Sequence, residues 1–276
     1  MLKLLALAAL LTGIQDSPKV ETSFAVPKPV PPTEEQGVAV QVLNGFRALH
    51  GLDAVTLDPR LVSSAESHSR TMAKSRFLTH KEEDSAMADA SSRSRAFGFV
   101  GPIAELVASG MPNVPYSVAT FMDAPYHRRH LLRPGKLQFG CAETDGYVCL
   151  VLGGASTRGA VVSPPDGAQG VPTAWDGIEE PNPVRTKGAK PPYGYPVAFF
   201  AFGSSLKHVR ASLTDGSGKT VAVFLNEPAN DPNSPDSVIL IPKAPLKQGT
   251  RYTASFESEV DGHRSTRTHT FTTGTE

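Results

Sequence analysis

One histidine, His127, lies at a break between two apolar stretches and is the first candidate for chemistry. Before it, Val118, Phe121 and Met122 recur at helical spacing, which predicts a short helix with one buried side. Pro125 is expected to end this helix, because proline disfavours helical geometry in the preceding residue and has no N–H to donate. An imidazole fixed at such a break can serve as an acid, a base or a metal ligand, whereas a capping or surface histidine does none of these.

The common nucleophile motifs do not occur in the sequence. It contains no Gly-x-Ser-x-Gly elbow and no His-Glu-x-x-His zinc helix. The two cysteines, Cys141 and Cys149, flank a Thr-Asp-Gly turn in a predicted β-hairpin. A three-residue loop would place them opposite each other and allow a disulfide, whereas a two-residue Asp-Gly turn would put the thiols out of line. We expect the disulfide, because the chain is predicted to be exported.

The overall charge and the ends of the chain restrict the possible partners and compartment. The 27 basic and 27 acidic residues cancel, so no net field favours nucleic acid. Lys3 followed by the apolar run 4–11 predicts a signal peptide over residues 1–15, and no segment is long enough to span a membrane. The proline-rich residues 16–34 predict a linker. We therefore expect a secreted or cell-envelope protein, periplasmic or extracellular.

Two helices are predicted after the linker. Residues 35–50 carry an apolar stripe that includes Val38, Phe46 and Leu49, and Gly51 follows. Residues 58–59 read Asp-Pro, an N-cap followed by proline at the first helical position, and predict a second helix reaching about residue 75. Further on, residues 139–152 read as a β-hairpin, and Leu-Val-Leu at 150–152 is continuously apolar, as expected of a strand that is covered on both sides.

Residues 38–155 resemble the CAP superfamily, which comprises cysteine-rich secretory proteins, antigen 5 and pathogenesis-related 1 proteins. Residues 104–108 (Ala-Glu-Leu-Val-Ala) stand where the family has a Gly-Glu-Asn-Ile-Ala-like segment, and residues 121–128 resemble the bacterial Trp-Met-x-Ser-Pro-Gly-His-Arg. The opening pattern of the family is matched by Asn44, Arg47, Gly51, Leu52, Leu61, Ala65, Met72 and His80. The resemblance implies an α+β fold, an α-β-α sandwich, which we assign to residues 35–158.

The resemblance also implies a cleft lined by two histidines and two glutamates. His80, Glu105 and His127 match three of these positions and are the candidate catalytic residues. The fourth partner is open among Glu143, Asp123 and Asp84, which no pattern separates.

Three roles suit two imidazoles and a carboxylate in one cleft. His80 and His127 can bind Zn²⁺ or another divalent metal, leaving a position open for water. The three groups can act in acid/base chemistry. They can also form a hydrogen-bonded network without chemistry.

Residues 159–276 are expected to form an all-β sandwich. Residues 252–260 alternate apolar and polar side chains, and Asp-Gly at 261–262 turns the chain into a further strand at 265–272. Pro-Pro-Asp-Gly at 164–167 and Phe-Thr-Thr-Gly at 271–274 resemble the entry and exit of bacterial Ig-like domains. The resemblance implies an Ig-like module for spacing or adhesion.

The remaining histidines and the tryptophan receive structural interpretations. His68 is expected to be a satisfied helix residue, and His130 to be solvent-exposed. Trp175 is expected to pack at the junction of the two modules. Surface positions are predicted for His208, His263 and His269, and a solvated pair for Arg128 and Arg129.

Three functions follow from these features. The first is a secreted CAP-domain protein whose cleft binds a divalent metal or a small or lipid-like ligand, including one from the cell envelope. The second is a metal-assisted extracellular hydrolase acting on peptide or cell-wall material. The third is a non-catalytic interaction scaffold. The resemblance alone does not choose among them.

Overall fold

The computed structural model describes residues 29–84 and 86–275. The predicted signal peptide and all but the last residues of the predicted linker lie outside this part of the chain. The helices are α1 (Glu34–Leu49), α2 (Pro59–Ser75), α3 (Ala90–Ala96), α4 (Val114–Asp123) and α5 (Pro125–Leu131). The strands among them are β1 (Thr56–Leu57), β2 (Ile103–Ala108), β3 (Gln138–Thr144) and β4 (Tyr147–Gly153).

The first unit is a mixed α and β structure of three layers. Its sheet has the strand order β1-β3-β4-β2, and every pairing except the parallel one between β1 and β3 is antiparallel. Leu61, Ala65 and Met72 of α2 pack on one face of the sheet, and α1 and α4 cover the other. Gly140 permits the close approach of α2, because a Cβ there would lie 2.1 Å from the backbone of Leu61. The predicted α-β-α layering agrees with this arrangement.

Helix α1 begins and ends where the sequence predicts to within one residue, but its buried face differs from the prediction. Val38 and Leu49 are 43% and 68% exposed. Gln36 and Arg47 are buried instead, since Gln36 donates to a carbonyl on β3 and Arg47 donates to the Leu131 carbonyl. Hydrogen bonds to backbone acceptors thus turn polar side chains inward.

The predicted disulfide between Cys141 and Cys149 is not formed. Both are free and buried, and Asp145-Gly146 form a two-residue turn, both with positive φ. Cys149 therefore pairs with Ala142, so that the two thiols point to opposite faces of the sheet. Burial raises the pKa of both thiols, which keeps them protonated and unreactive.

The second unit consists mainly of two four-stranded sheets. Its strands are β5 (Gly159–Ser163), β6 (Ala168–Val171), β7 (Ala174–Trp175), β8 (Tyr193–Gly194), β9 (Val197–Phe202), β10 (Leu206–Asp215), β11 (Val223–Asn226), β12 (Ser237–Pro242), β13 (Arg251–Val260) and β14 (His263–Thr273). One sheet has the order β11-β12-β9-β5 and the other β10-β13-β14-β6. Apolar side chains from both sheets form one cluster between them. The predicted strands at 252–260 and 265–272 are confirmed as β13 and β14.

The sheet that contains β9 is covered on both sides. Phe199 points into the cluster between the two sheets, whereas Phe200 and Phe202 join the apolar cluster of the first unit. Strand β12 alternates in the same way, with Ile239 and Ile241 directed at the first unit. One continuous core therefore crosses the junction of the two units.

In the part of the chain described by the structure, no helix combines the length and the apolar composition needed to cross a bilayer.

Candidate functional site

His80 and Glu105 lie in contact, as the resemblance implies. His80 follows α2 by a few residues, Glu105 lies in the middle of β2, and His80 Nδ1 is 2.9 Å from Glu105 Oε1. The Glu105 side chain is 3% exposed, whereas that of His80 is 57% exposed. The strand thus holds a buried carboxylate that orients a ring at the surface.

Glu105 belongs to a larger buried network. Arg93, on α3, is fully buried and donates to Glu105 Oε2 at 2.6 Å. His68 Nδ1 lies 2.6 Å from Glu82 Oε1, and its Nε2 lies 2.7 Å from the Thr79 carbonyl. His68 is thus a satisfied helix residue, as predicted. The network ties α2, α3 and β2 together behind His80.

The surroundings of Glu105 keep its carboxylate ionised. Burial by itself raises the pKa of Glu105, but the hydrogen bond with His80 and the charge of Arg93 outweigh it, so the pKa lies below its ordinary value. Both carboxylate oxygens accept hydrogen bonds. A carboxylate in this state holds its neighbours in place and is a weak proton acceptor.

His127 has a different carboxylate partner, which the sequence did not indicate. Its Nδ1 lies 2.7 Å from Glu179 Oε1, and its backbone N–H donates to the same oxygen at 2.8 Å. Glu179 lies between β7 and β8, 52 residues along the chain. The ring stacks on Phe121 at a centroid distance of 4.8 Å. Because Pro125 begins α5, His127 lies inside that short helix and not in the break that the sequence predicts.

The two histidines line one cavity of about 510 Å³. Its wall is mostly apolar and includes Leu78, Phe121 and Ile178. Glu179 and Glu180 also line it, whereas Glu105 does not. The structure therefore brings His80 and His127 to the same space and leaves Glu105 behind His80. Cavities of roughly 300–1,000 Å³ with a few polar groups are typical of small-molecule sites.

None of the three candidates for the fourth partner is in this cavity. Glu143 accepts the Gly146 N–H and caps the hairpin turn. Asp123 lies near Tyr195 and Arg128, and burial raises its pKa, whereas Asp84 accepts the Ala86 N–H. The cavity therefore takes no fourth carboxylate from these three residues.

The structure corrects the predicted solvent exposure of two basic residues, Arg128 and His130. Arg128 is fully buried rather than solvated, because it donates to the carbonyls of Pro196, Asp123 and Met122 and stacks over Tyr195. His130 is largely shielded rather than exposed. Burial lowers its pKa to about 3, and its Nδ1 has no hydrogen-bond partner among the described residues. Arg128 thus holds α5 against the second unit.

His269 and Trp175 are both buried. His269 is 2% exposed, stacks on Phe256, and has a pKa lowered to about 4 by burial, so its predicted surface position is wrong. Trp175 is 4% exposed and packs beside Tyr193 in the cluster that crosses the junction. His208 and His263 are exposed, as predicted.

The two histidines fit only part of a metal site. Each Nδ1 is engaged by a carboxylate, which is how metal-bound histidines are commonly oriented. Within residues 29–84 and 86–275, however, no group of three His, Cys, Asp or Glu side chains is arranged to hold a metal ion. A zinc centre with three protein ligands is therefore not formed by these residues.

Comparison with known proteins identifies the first unit. Residues 40–147 match the family model described as "CAP: Cysteine-rich secretory protein family". Residues 40–147 are a CAP domain. They contain His80, Glu105 and His127, whereas Glu179 lies outside the match. A comparison with curated proteins gave no match.

Three solved structures of bacterial proteins are similar to part of the chain. An extracellular protein with an SCP domain from Bacillus anthracis str. Ames is 16% identical over 46% of this chain and 45% of its own, with a TM-score of 0.40. An outer surface protein from Borrelia burgdorferi is 19% identical over 46% and 97%, with a TM-score of 0.38. A cysteine-rich secretory protein from Staphylococcus aureus subsp. aureus Mu50 is 21% identical over 43% and 38%, with a TM-score of 0.36. The chain thus spans less than half of the Bacillus and Staphylococcus proteins.

Proposed function

We propose that this is an exported CAP-domain protein whose cleft binds a small or lipid-like ligand without turnover. The observation that supports this most is the mostly apolar cavity of about 510 Å³, with His80 and His127 on its wall. Apolar walls favour an apolar ligand body, and two fixed imidazoles can hydrogen-bond its polar end. The predicted signal peptide supports export.

The second unit is proposed to be an Ig-like sandwich that forms part of the cleft. Lettered in chain order as A (β5), B (β9), C (β10), D (β11), E (β12), F (β13) and G (β14), its sheets contain strands A, B, E and D and strands C, F and G. This distribution supports an Ig-like fold, with β6 as an additional strand at the edge of the second sheet. The chain between β5 and β9 carries Glu179 to His127. Such a module contributes to the site in addition to any spacing or adhesion.

The hydrolase alternative has less support. It requires Glu105 to act as a base, but both of its oxygens are occupied and its side chain does not line the cavity. A hydrolytic activity that collapsed in Glu105→Gln while the fold stayed intact would support this alternative.

Binding can be tested with 1-octanol by titration calorimetry on the full chain. Thr120→Trp should block the cavity, because Thr120 lines it from α4. Thr71→Trp is a matched control, since both threonines are half-buried helix residues whose hydroxyls donate to the carbonyl four residues earlier. We expect saturable binding in the wild type and in Thr71→Trp but a loss of at least about tenfold in Thr120→Trp.

Two results would contradict the proposal. One is no binding of 1-octanol, or equal binding to all three proteins. The other is stoichiometric zinc in the purified chain that disappears in both His80→Ala and His127→Ala, which would favour the predicted metal site. Unchanged binding in variants at His80, Glu105 and His127 would favour the scaffold alternative.

A further inference from the structure

One oxygen of Glu179 lies buried without a partner. Its Oε1 accepts the backbone N–H and faces Nδ1 of His127, whereas Oε2 has no hydrogen-bond partner among the described residues. The side chain is 0% exposed, and Glu179 is one of the residues that line the cavity. A buried carboxylate oxygen without a donor is unfavourable, and a donor on a bound molecule would satisfy it.

Apart from the imidazoles of His80 and His127, the ionisable side chains that line the cavity are carboxylates. Glu179 and Glu180 line it, and within the part of the chain that the structure describes no arginine or lysine does so. Arg93, a buried guanidinium of the CAP domain, is engaged by Glu105 and does not line the cavity. Carboxylates with no arginine or lysine opposite them favour a positively charged partner.

The apolar wall restricts the rest of that partner. Phe121 and Leu78 face the cavity, and Ile178, which is 77% exposed, lies beside Glu179 in the sequence. We infer that the cleft selects molecules in which a primary ammonium group adjoins an apolar chain, with the ammonium bound to Glu179 Oε2. This inference rests on the proposed binding function and adds the class of head group.

The inference can be tested with three probes that share one alkyl chain: n-octylammonium, 1-octanol and octanoate, each titrated into the full chain. A charge-assisted hydrogen bond to a buried carboxylate should make octylammonium bind about tenfold or more tightly than octanol, with octanoate weakest. In Glu179→Gln the ratio of octylammonium to octanol affinity should fall by about tenfold. In the control Glu83→Gln, which removes an exposed carboxylate that does not line the cavity, this ratio should stay within about twofold, because solvent screens that charge.

Each alternative result has a separate meaning. If octanol and octanoate bind as well as octylammonium, the head-group inference is wrong although the binding function stands. If none of the three probes binds, the proposed function itself fails. If the ratio is unchanged in a folded Glu179→Gln, or if only Zn²⁺ alone binds and is lost in that variant, the assignment to Glu179 is overturned.

Discussion

His80 and His127 line the same cavity, and each ring is held by a carboxylate through Nδ1, but the two pairs are built differently. Glu105, the partner of His80, belongs to the CAP domain and is tied to a buried arginine. Glu179, the partner of His127, comes from outside the family match and retains a free oxygen. The carboxylate of the first pair is fully used in a buried network, whereas that of the second pair keeps one buried oxygen without a partner beside the cavity.

The largest expected effect comes from breaking the network behind His80. Arg93→Met leaves the carboxylates of Glu82 and Glu105 without their buried cation, which should lower the free energy of unfolding by about 3–5 kcal/mol. Urea denaturation at pH 7 measures the change. Arg70→Met removes an exposed helix pair and should cost about 0.5 kcal/mol or less. Equal losses in the two variants would mean that the network is not a stabilising support.

A histidine without a carboxylate partner provides the next test. The pKa of His269 is about 4, so the unfolded chain takes up a proton between pH 6.5 and 4 that the folded chain does not. The free energy of unfolding should therefore decrease by up to about 3 kcal/mol as the pH is lowered from 6.5 to 4. His269→Phe should remove that part of the decrease. Denaturation curves at several pH values measure it. His263→Phe, at an exposed position of the same strand, should leave the slope unchanged, and an unchanged slope in His269→Phe would contradict the prediction.

The lowered pKa of Glu105 predicts that the difference in stability between the wild type and Glu105→Gln depends on pH. Because this pKa is lowered, its contribution to stability is complete above the ordinary value of 4.5 and is lost as the pH falls through the folded-state value. Glu105→Gln should be less stable by about 1.5–3 kcal/mol at pH 7, and the gap should narrow below pH 4.5. Parallel urea titrations measure the gap. A gap that does not change with pH would show that the charge of Glu105 is not what matters.

The smallest effect on stability is expected at the second pair. Glu179→Gln keeps an acceptor for His127 and should cost about 1 kcal/mol or less. It should nevertheless change the tautomer balance of the ring, which ¹⁵N chemical shifts of His127 report. The shifts of His80 should stay constant in this variant. A change in both rings would mean that the two pairs are coupled and not separate.

The elements of the CAP domain were predictable because their signals are local. Asp58 followed by proline gives an N-cap, and Leu150-Val151-Leu152 gives a buried strand, independently of the rest of the chain. The spaced motifs then placed His80 beside Glu105. The hairpin register was harder, because one residue more or less in the turn decides which face each cysteine occupies.

The parts of the site that were missed depend on distant contacts. Arg93 looks like one of several arginines in a polar segment, and only the packing of α3 buries it. Glu179 lies among prolines and glycines with no periodicity, so nothing nearby marks it as the partner of a histidine 52 residues earlier. The same limit applies to His269, whose alternation with Phe271 was the one available signal that it faces a core.

Both faces of the sheet that contains β9 and β12 are buried, since one face packs inside the sandwich and the other packs against the CAP domain. A recombinant fragment that ends near residue 158 would expose the apolar surface of the CAP domain that packs against Phe200. The complementary fragment would expose Phe200 and Ile239 to water. Each fragment would therefore have a newly exposed apolar surface and would be less soluble. Transfer of the cleft to another scaffold therefore requires both units, or polar substitutions at the apolar contact between them.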